Sequence, residues 1–313
     1  MIVNVTQAAD IIINGGLVAV PTETVYGLAA KFNDQEAVKK IYQLKNRPLD
    51  HPLILHIGSK DWLQKYTLDI PDYVYTLIDH FWPGPLTLVL NKTNVVGDYI
   101  TAGQKTIAIR MPSHPDILKL IQEVGEPLVA PSANKFCKTS PTTSEHVINN
   151  FGSDLPVIDG GKCTVGIEST IISVVEKNLI TLLRPGLITC QEIESVSKIS
   201  CHTCESTIKV PGNLKLHYQP ELPLYSFSNY MDISKKFNDN KRYFCMLIND
   251  YQLPEKHTVF QMPNNPINYA KTLYDTWQSI DENLYDAILI ELPPENVEWA
   301  GVRDRIFKAS QAL

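Results

Sequence analysis

Short apolar runs alternate with amphipathic stretches in the first part of the chain. The runs are rich in β-branched and aliphatic residues and are bounded by Gly, Pro or Ser, which predicts strands at 17–20, 53–57, 86–90, 106–109 and 169–175. The stretches between them have apolar residues at helical spacing, which predicts helices from Thr6 to Gly15, from Asp34 to Lys45, and over 71–81, 115–124 and 143–151. Interleaved strands and helices indicate a layered α/β (α+β) fold.

The periodicity fades between about Ser195 and Leu222, where prolines interrupt the chain. We interpret this stretch as an ordered linker. Beyond it, the pattern predicts strands at 224–227, 243–248, 258–261 and 287–292, and helices over 268–280 and 302–312. The sequence therefore predicts a first domain over 1–200, a linker over 201–222 and a smaller α/β domain over 223–313.

Composition narrows the class of protein. Hydrophobic residues make up 44% of the chain, enough for a real core, and the formal charge of -6 argues against a free-standing nucleic-acid binder. Neither a signal peptide nor an apolar stretch of about 20 residues is present in the sequence, so we expect a cytoplasmic protein and no membrane partner. The six cysteines are expected to be reduced thiols, and Cys201 and Cys204 alone do not make a zinc site, so no protein-held metal is predicted.

Familiar nucleotide-binding and hydrolytic motifs are missing. The sequence has no phosphate loop of the form G-x-x-x-x-G-K-[ST], no G-x-G-x-x-G turn, no H-E-x-x-H, no G-x-S-x-G and no kinase signature. If this protein binds a nucleotide, it must do so through residues that do not form any of these motifs.

Polar side chains are concentrated just after predicted strands. Thr22-Glu23-Thr24 follows the strand at 17–20, and Ser132 and Asn134 follow the apolar pair Leu128-Val129. Sites in α/β proteins are commonly built at the carboxyl ends of strands. The same residues could instead cap backbone amides and stabilise ordinary turns, and spacing alone leaves both interpretations open.

Cationic residues show the same ambiguity. Lys45 and Arg47 lie two residues apart before Pro48, a pattern that suits phosphate binding because Arg offers a fork and Lys a point charge. Arg184, before Pro185-Gly186, could contact an anion or stack on adenine. However, cations also favour the C-terminal end of a helix, and Arg184 could belong to a surface turn.

The order and spacing of these segments together are far more specific than any one of them. Along nearly its whole length the chain resembles the YrdC-like threonylcarbamoyl-AMP synthase family. The matching stretches are PTETVYGL (21–28), KNRP (45–48), HPLILHI (51–57), WPGPLT (82–87), RMPSHP (110–115), APSAN (130–134), SPTT (140–143), GIEST (166–170) and LRPG (183–186).

The linker carries a further resemblance. Residues 211–220 fit the pattern P-G-x-x-x-x-H-Y-x-P of the long, two-domain form of the family. In that form the linker reaches back over the catalytic cleft and joins a Rossmann-like C-terminal domain. The resemblance thus implies a twisted, open mixed sheet with flanking helices, followed by a smaller Rossmann-like domain.

The resemblance implies a nucleotidyltransferase that makes threonylcarbamoyl-AMP and pyrophosphate from L-threonine, bicarbonate and ATP. Mg²⁺ would be bound mainly through the ATP phosphates. The product would serve threonylcarbamoyladenosine modification of tRNA next to the anticodon, with a downstream tRNA threonylcarbamoyl transferase as partner. Whether the chain itself binds tRNA is left open.

The family's functional residues are carried over position by position. The threonine pocket would comprise Thr24, His56, Arg110, Ala130, Ser169 and Thr170. The ATP contacts would be Arg47, His51, Thr106, Ser132, Ser140, Arg184 and Tyr218, and the catalytic residues Lys45, Arg47, Ser132 and Asn134. His51 departs from the family, which commonly has Asn there.

Two other classes of protein stay open at this point. A non-catalytic RNA-binding module would bind RNA without consuming ATP in a threonine-dependent way, and the acidity of the chain counts against it. A carbamoyl-transfer enzyme of the hydrogenase-maturation type should have acylphosphatase-like and zinc-finger segments before this domain. The matching motifs here begin close to the start of the sequence.

Overall fold

Two separate sheets organise the chain. The computed structural model describes residues 1–204, 206–212, 214, 216–234, 237 and 240–312. Asn213 and Lys215 of the linker motif, and Leu313 at the end of the predicted second domain, lie outside the described residues. We call the part built on the first sheet the N-terminal lobe and the part built on the second the C-terminal lobe.

The N-terminal lobe contains a ten-stranded mixed sheet. Its strands are β1 Val18–Val20, β2 Gly27–Lys31, β3 Ile54–His56, β4 Thr67–Leu68, β5 Leu86–Lys92, β6 Thr106–Arg110, β7 Leu128–Val129, β8 Thr170–Ser173, β9 Ile180–Arg184 and β10 Cys201–His202. Their order is β1-β2-β7-β3-β6-β5-β8-β9-β10, with β4 paired to β5. Its helices are α1 Val5–Ile13, α2 Gln35–Lys45, α3 Leu63–Tyr66, α4 Asp72–Phe81, α5 Asp98–Thr101, α6 Pro115–Val124, α7 Ser144–Phe151 and α8 Cys190–Ser197.

Alternation along the central strands gives the sheet two different faces. Leu55 and Ile109 point into the main core, where helices such as α2, α4 and α8 pack. Their neighbours Ile54 and Ala108 point to the opposite face and pack against Val210 of the linker. Because side chains alternate with a period of two, each strand supports the core on one side and a linker-covered surface on the other.

The C-terminal lobe is a smaller five-stranded sheet. Its strands are β11 Leu224–Phe227, β12 Tyr243–Leu247, β13 Thr258–Gln261, β14 Ala287–Glu291 and β15 Gln311–Ala312, and its helices are α9 Tyr230–Ser234, α10 Pro266–Ser279 and α11 Ala300–Ala309. The order is β13-β12-β14-β11-β15, and the strands pair in parallel. Helices α10 and α11 cover one face, and α9 lies on the other. The predicted α/β (α+β) class, with a Rossmann-like second unit, is confirmed.

Several predicted elements differ from the structure at their ends. Helix α1 is capped by Asn4 rather than Thr6, since the Asn4 side chain accepts from the Gln7 amide and Gln7 reciprocates. The closing helix ends at Ala309, and the chain continues as β15 beside β11. Strand β10 pairs with β9, so the first sheet extends to His202, two residues into the predicted linker.

The sequence pattern predicted no strand between 17–20 and 53–57, but the structure has one there. The segment after β1 leads into β2, which pairs antiparallel with β1. Residues 21–26 are therefore the loop of a strand pair, and Gly27 and Leu28 already belong to the second strand. The run Gly27-Leu28-Ala29-Ala30 has no polar alternation because it is buried on both sides, so its periodicity did not reveal a strand.

The six cysteines are free thiols. Among the described residues, no group of three or more His, Cys, Asp or Glu side chains is arranged to hold a metal ion. None of the described helices combines the length and the apolar character needed to cross a bilayer.

Candidate active site

A narrow cavity of about 50 Å³ lies between the linker and the strand ends of the N-terminal lobe. Nine of the predicted site residues line it: Thr24, Arg47, His56, Arg110, Ala130, Ser132, Ser169, Arg184 and Tyr218. They come from eight separate stretches of sequence, and the fold brings them to one place.

Arg110 is fixed at the end of β6 by three partners. Its Nη2 lies 2.6 Å from Oε1 of Glu23, Nη1 donates to Thr24 Oγ1 at 3.0 Å, and Nε donates to Gly84 O at 3.2 Å. Arg110 and Glu23 are both buried, and the second Glu23 oxygen accepts from the Ser113 amide at 3.1 Å. The ion pair offsets part of the cost of burying each charge and fixes the direction of the guanidinium. A guanidinium has five N–H donors, so donors remain for a carboxylate ligand.

Glu23 as the partner of Arg110 was missed from the sequence. The only signal was a carboxylate among hydroxyl residues after a strand, which also suits a turn. Thr22 stabilises the same loop, because its hydroxyl donates to Val25 O at 2.6 Å and accepts from the Thr24 and Val25 amides. This loop therefore holds Thr24 and Glu23 in fixed positions around Arg110.

His56 is a buried neutral imidazole beside Arg110. Its Nδ1 lies 3.2 Å from Ile54 O. Burial, reinforced by the Arg110 charge, lowers the pKa of His56 to about 3. Burial also lowers the pKa of His217 in the linker to about 3. Both rings can therefore donate or accept a hydrogen bond near neutral pH without carrying charge.

These two histidines should make folding stability depend on pH. In the unfolded chain each titrates near its ordinary pKa of 6.5, whereas in the folded chain each stays neutral down to about pH 3. The unfolded state therefore binds more protons between these values, and the free energy of unfolding should fall as pH drops through this window. Each histidine should contribute up to about 1.4 kcal/mol per pH unit.

The test is urea unfolding at pH 7, 6 and 5. His56→Gln should make the unfolding free energy depend less steeply on pH, by an amount that corresponds to about one proton fewer taken up on unfolding. His80→Gln, at an exposed position on α4, is the matched control and should leave the slope unchanged. A wild-type slope in His56→Gln would show that this imidazole is not buried neutral.

Lys45, the last residue of α2, is buried under the loop that carries Ser132 and Asn134. Its Nζ donates to Ser132 O at 2.6 Å and also to Asn134 O. Burial and the nearby Arg47 charge lower the pKa of Lys45 well below its ordinary value. The Lys45 side chain therefore holds this loop in place. An anion bound at the loop would favour the charged form of Lys45.

Arg47 and Asn134 present buried polar atoms with no partner among the described residues. Arg47 donates from Nη2 to Pro52 O at 2.9 Å, and its guanidinium lies 5.8 Å from the centre of the Phe136 ring. The Asn134 amide donates to Lys135 O and Lys138 O at 2.7 and 2.8 Å. Arg47 Nε and Asn134 Oδ1 are left without a hydrogen bond in the described part of the chain. Such atoms are expected where a ligand supplies the missing partner.

Ser169 lies directly before β8, and Arg184 is the last residue of β9. Arg184 donates from Nε and Nη2 to Ser169 O at 3.1 and 2.9 Å, and from Nη1 to Pro211 O of the linker at 3.1 Å. The Ser169 hydroxyl lies 2.7 Å from Thr87 Oγ1. Arg184 thus joins the strand ends to the linker. Its stacking on adenine remains a prediction.

The linker closes the cavity with His217 and Tyr218. Tyr218 has a left-handed backbone (φ 64°), is buried, and its carbonyl accepts from the Thr139 hydroxyl at 3.1 Å. The Tyr218 hydroxyl and His217 Nδ1 are buried and have no hydrogen-bond partner among the described residues. A strained residue with an orphaned hydroxyl is typical of a functional position.

Several predicted residues lie beside the cavity or away from it. Ser140 is fully buried, and its hydroxyl donates to Glu168 Oε1 at 2.6 Å. Thr170 does not line the cavity, because its hydroxyl donates to Ile188 O at 2.8 Å. Thr106 lies at the opposite end of β6 from Arg110. His51 is half-buried, and its ring lies 5.1 Å from that of Phe136, near Arg47.

Comparison with known proteins adds to this geometry. Residues 10–186 match the family model Sua5_yciO_yrdC, described as "Telomere recombination". The chain belongs to the Sua5/YrdC family. Residues 188–311 match the model Sua5_C, described as "Threonylcarbamoyl-AMP synthase, C-terminal domain". The predicted family resemblance, including the long two-domain form, is confirmed.

Relatives within the Sua5/YrdC family are similar over nearly their whole length. The chain is 39% identical to a threonylcarbamoyl-AMP synthase of Pyrococcus abyssi over 97% of this chain and 93% of that protein. It is 37% identical to a threonylcarbamoyl-AMP synthase of Bacillus subtilis over 98% of this chain and 92% of that protein. A crystal structure of Pyrococcus abyssi Sua5 complexed with L-threonine superposes with a TM-score of 0.88 at 36% identity, covering 99% of this chain and 97% of that one.

Proposed function

We propose that this chain is an L-threonylcarbamoyladenylate synthase, a nucleotidyltransferase that forms threonylcarbamoyl-AMP and pyrophosphate from L-threonine, bicarbonate and ATP. The observation that carries the proposal is the set of buried, unpartnered polar atoms on Arg47, His217 and Tyr218, which line one cavity together with Arg110. Full-length similarity to named synthases supports it.

The cavity has two chemically different ends. Thr24, His56 and Arg110 offer a hydroxyl, a neutral imidazole and a cation, a set that suits the hydroxyl, amine and carboxylate of threonine. Arg110 binds the carboxylate with the donors that Glu23, Thr24 and Gly84 leave available. Arg47 and Ser132 line the other end and bind the phosphates, with Lys45 and Asn134 directly behind them.

The reaction needs no protein nucleophile. The threonine amine attacks carbon dioxide derived from bicarbonate and loses a proton, which gives a carbamate. A carbamate oxygen then attacks the α-phosphorus of ATP, and the bond from that phosphorus to the bridging oxygen breaks, so that pyrophosphate leaves. Alignment of the two substrates can contribute about 7–11 kcal/mol to catalysis, and Arg47 offsets the negative charge that develops on the phosphates.

Mg²⁺ enters this scheme as part of the nucleotide substrate. Asn134 Oδ1 is a buried oxygen acceptor with no partner among the described residues, and oxygen is the ligand that Mg²⁺ or its bound water prefers. The chain's own cationic groups supply the remaining charge compensation.

The product is proposed to serve tRNA threonylcarbamoyladenosine synthesis through a separate transferase. An activated carbamoyl-adenylate has to be consumed by a group transfer, and the acidic net charge of this chain does not favour tRNA binding by the synthase itself. We place the enzyme in the cytoplasm, and six free thiols agree with a reducing compartment.

The decisive assay is pyrophosphate release from ATP with each substrate omitted in turn. We expect release only when L-threonine, bicarbonate, ATP and Mg²⁺ are all present. Serine in place of threonine is the matched control for the pocket. ATP consumption that does not require threonine, or RNA binding with no ATP consumption at all, would overturn the proposed function.

A further inference from the structure

Arg305 on α11 of the C-terminal lobe is a fully buried cation that reaches into the N-terminal lobe. Its relative exposure is 0%. Nε donates to Glu168 Oε2 at 2.8 Å, Nη2 to Glu168 O at 3.2 Å and Nη1 to Pro185 O at 2.8 Å. A buried guanidinium with this many partners across two lobes fixes their relative position, because moving it would leave charge unpaired.

Each of these contacts adjoins a residue of the candidate active site. Glu168 accepts from the Ser140 hydroxyl through Oε1 and precedes Ser169, and Pro185 follows Arg184. The Arg305 guanidinium also lies 5.1 Å from the centre of the Tyr218 ring. One side chain therefore supports the Glu168 carboxylate, the ends of β8 and β9, and the linker.

The charge balance at Glu168 depends on the C-terminal lobe. Burial alone would raise the pKa of Glu168, but Arg305, Arg184 and the Ser140 hydrogen bond outweigh it and hold the pKa at about 2. Tyr274 on α10 adds a hydrogen bond to Glu168 Oε2 at 3.1 Å. The Ser140 hydroxyl thus donates to a carboxylate whose orientation is set by α10 and α11.

Two glycines allow the backbones of the two lobes to pack closely beside this network. A Cβ atom on Gly301 of α11 would lie 2.5 Å from Gly186 O, and one on Gly166 would lie 2.5 Å from Ala270 O of α10. Gly166 also has a positive φ of 87°. Side chains at these two positions would push the helices away from the segment that carries Ser169 and Arg184.

We propose that Arg305 is a positioning residue for the adenylation step: through Glu168, Pro185 and Tyr218 it places Ser140, Arg184 and the linker against the nucleotide. The C-terminal lobe accordingly acts as a structural part of the active site. This inference rests on the proposed function. Arg110 and Thr24 at the threonine end are held mainly by Glu23 and Thr22, which Arg305 does not contact, so threonine binding should depend less on Arg305 than ATP turnover does.

The test compares four variants of the full chain. Arg305→Met keeps the volume and removes the charge, Arg305→Lys keeps the charge and removes the fork, and Glu168→Gln/Arg305→Met removes both buried charges together. Arg303→Met is the matched control, because Arg303 lies on the same helix and contacts Glu295 and Phe307 within the C-terminal lobe. For each variant we would measure kcat and KM for ATP by pyrophosphate release, the Kd for threonine by calorimetry without nucleotide, and the thermal midpoint.

Arg305→Met should lower kcat/KM for ATP by about 10–100-fold, and Arg305→Lys should lie between it and the wild type. The Kd for threonine should change by no more than about threefold, because Arg110 and Thr24 keep their contacts with Glu23 and Thr22 when Arg305 is replaced. The double variant should recover much of the thermal midpoint that Arg305→Met loses, but its kcat/KM for ATP should stay low. Arg303→Met should match the wild type in every measurement.

Two results would overturn the positioning role. One is a double variant with a recovered midpoint and wild-type kcat/KM for ATP, which would make Arg305 a purely structural residue. The other is an equal loss of threonine affinity and ATP efficiency in Arg305→Met. If the wild type itself releases no pyrophosphate with threonine, the proposed function fails instead, so the two failures are distinguishable.

Discussion

Arg47→Ala should lower kcat/KM for threonine-dependent pyrophosphate release by about 10²–10³-fold, the usual cost of removing one donor from developing negative charge. Arg47 lines the cavity, its Nε has no partner in the described part of the chain, and the Phe136 ring orients it. Arg47→Lys should recover only part of the activity, because the ammonium keeps the charge and loses the planar fork.

The same change should leave folding stability unchanged or slightly higher. Among the described residues, no carboxylate lies within 4.0 Å of Arg47 or Lys45, so the folded chain bears the cost of burying positive charge. Loss of activity with a retained or raised thermal midpoint is therefore the expected signature. Arg242→Ala, at an exposed arginine of the C-terminal lobe, is the control and should behave as wild type. Wild-type turnover in Arg47→Ala would refute the assigned phosphate contact.

Ending the chain at His202 should lower turnover by at least about 100-fold, because small displacements of positioning groups cost that much. The truncation removes Tyr218 from the cavity and Pro211 O from Arg184. It also removes Arg305 and Tyr274, leaving the buried Glu168 carboxylate with fewer donors.

This truncation requires a check of folding, since it exposes Val25 and Ile167, which pack against the C-terminal lobe. Circular dichroism and threonine calorimetry would show whether the remaining lobe is folded and keeps its threonine end. Adding the separate segment 203–313 should restore part of the turnover if docking alone is required. A folded truncated chain with full turnover would show that the C-terminal lobe is an accessory.

Much of the fold could be predicted from local patterns. Helix α2 begins after Asp34 and ends at Lys45 as the capping and spacing indicate, and β11 occupies Leu224–Phe227 as the apolar run predicts. Local patterns did not reveal strands that are buried on both faces, or strands whose existence depends on pairing with another strand. Strand β2 is buried on both sides, and β10 exists because it pairs with β9, a partner that local periodicity cannot reveal.

The candidate site, like the fold, could be predicted only in part. Nine predicted residues line the cavity, because the resemblance rests on segments whose order specifies a fold. The partners of those residues were not predictable. Lys45 was expected to contact phosphates directly, and the structure shows its ammonium donating to the carbonyls of Ser132 and Asn134. Whether it also reaches a phosphate remains a prediction.

By itself the sequence determined most of the elements, the family and the residue types that meet at the cavity, since these depend on spacing and on motif order. Only the tertiary structure decided which charges are paired. Glu23 neutralises Arg110, and Arg305 reaches Glu168 from 137 residues away along the chain, whereas the described residues offer Arg47 no carboxylate within ion-pair distance. The physical reason is that the energy of a buried charge depends on the few ångströms around it, and residues that are distant in the sequence occupy that space.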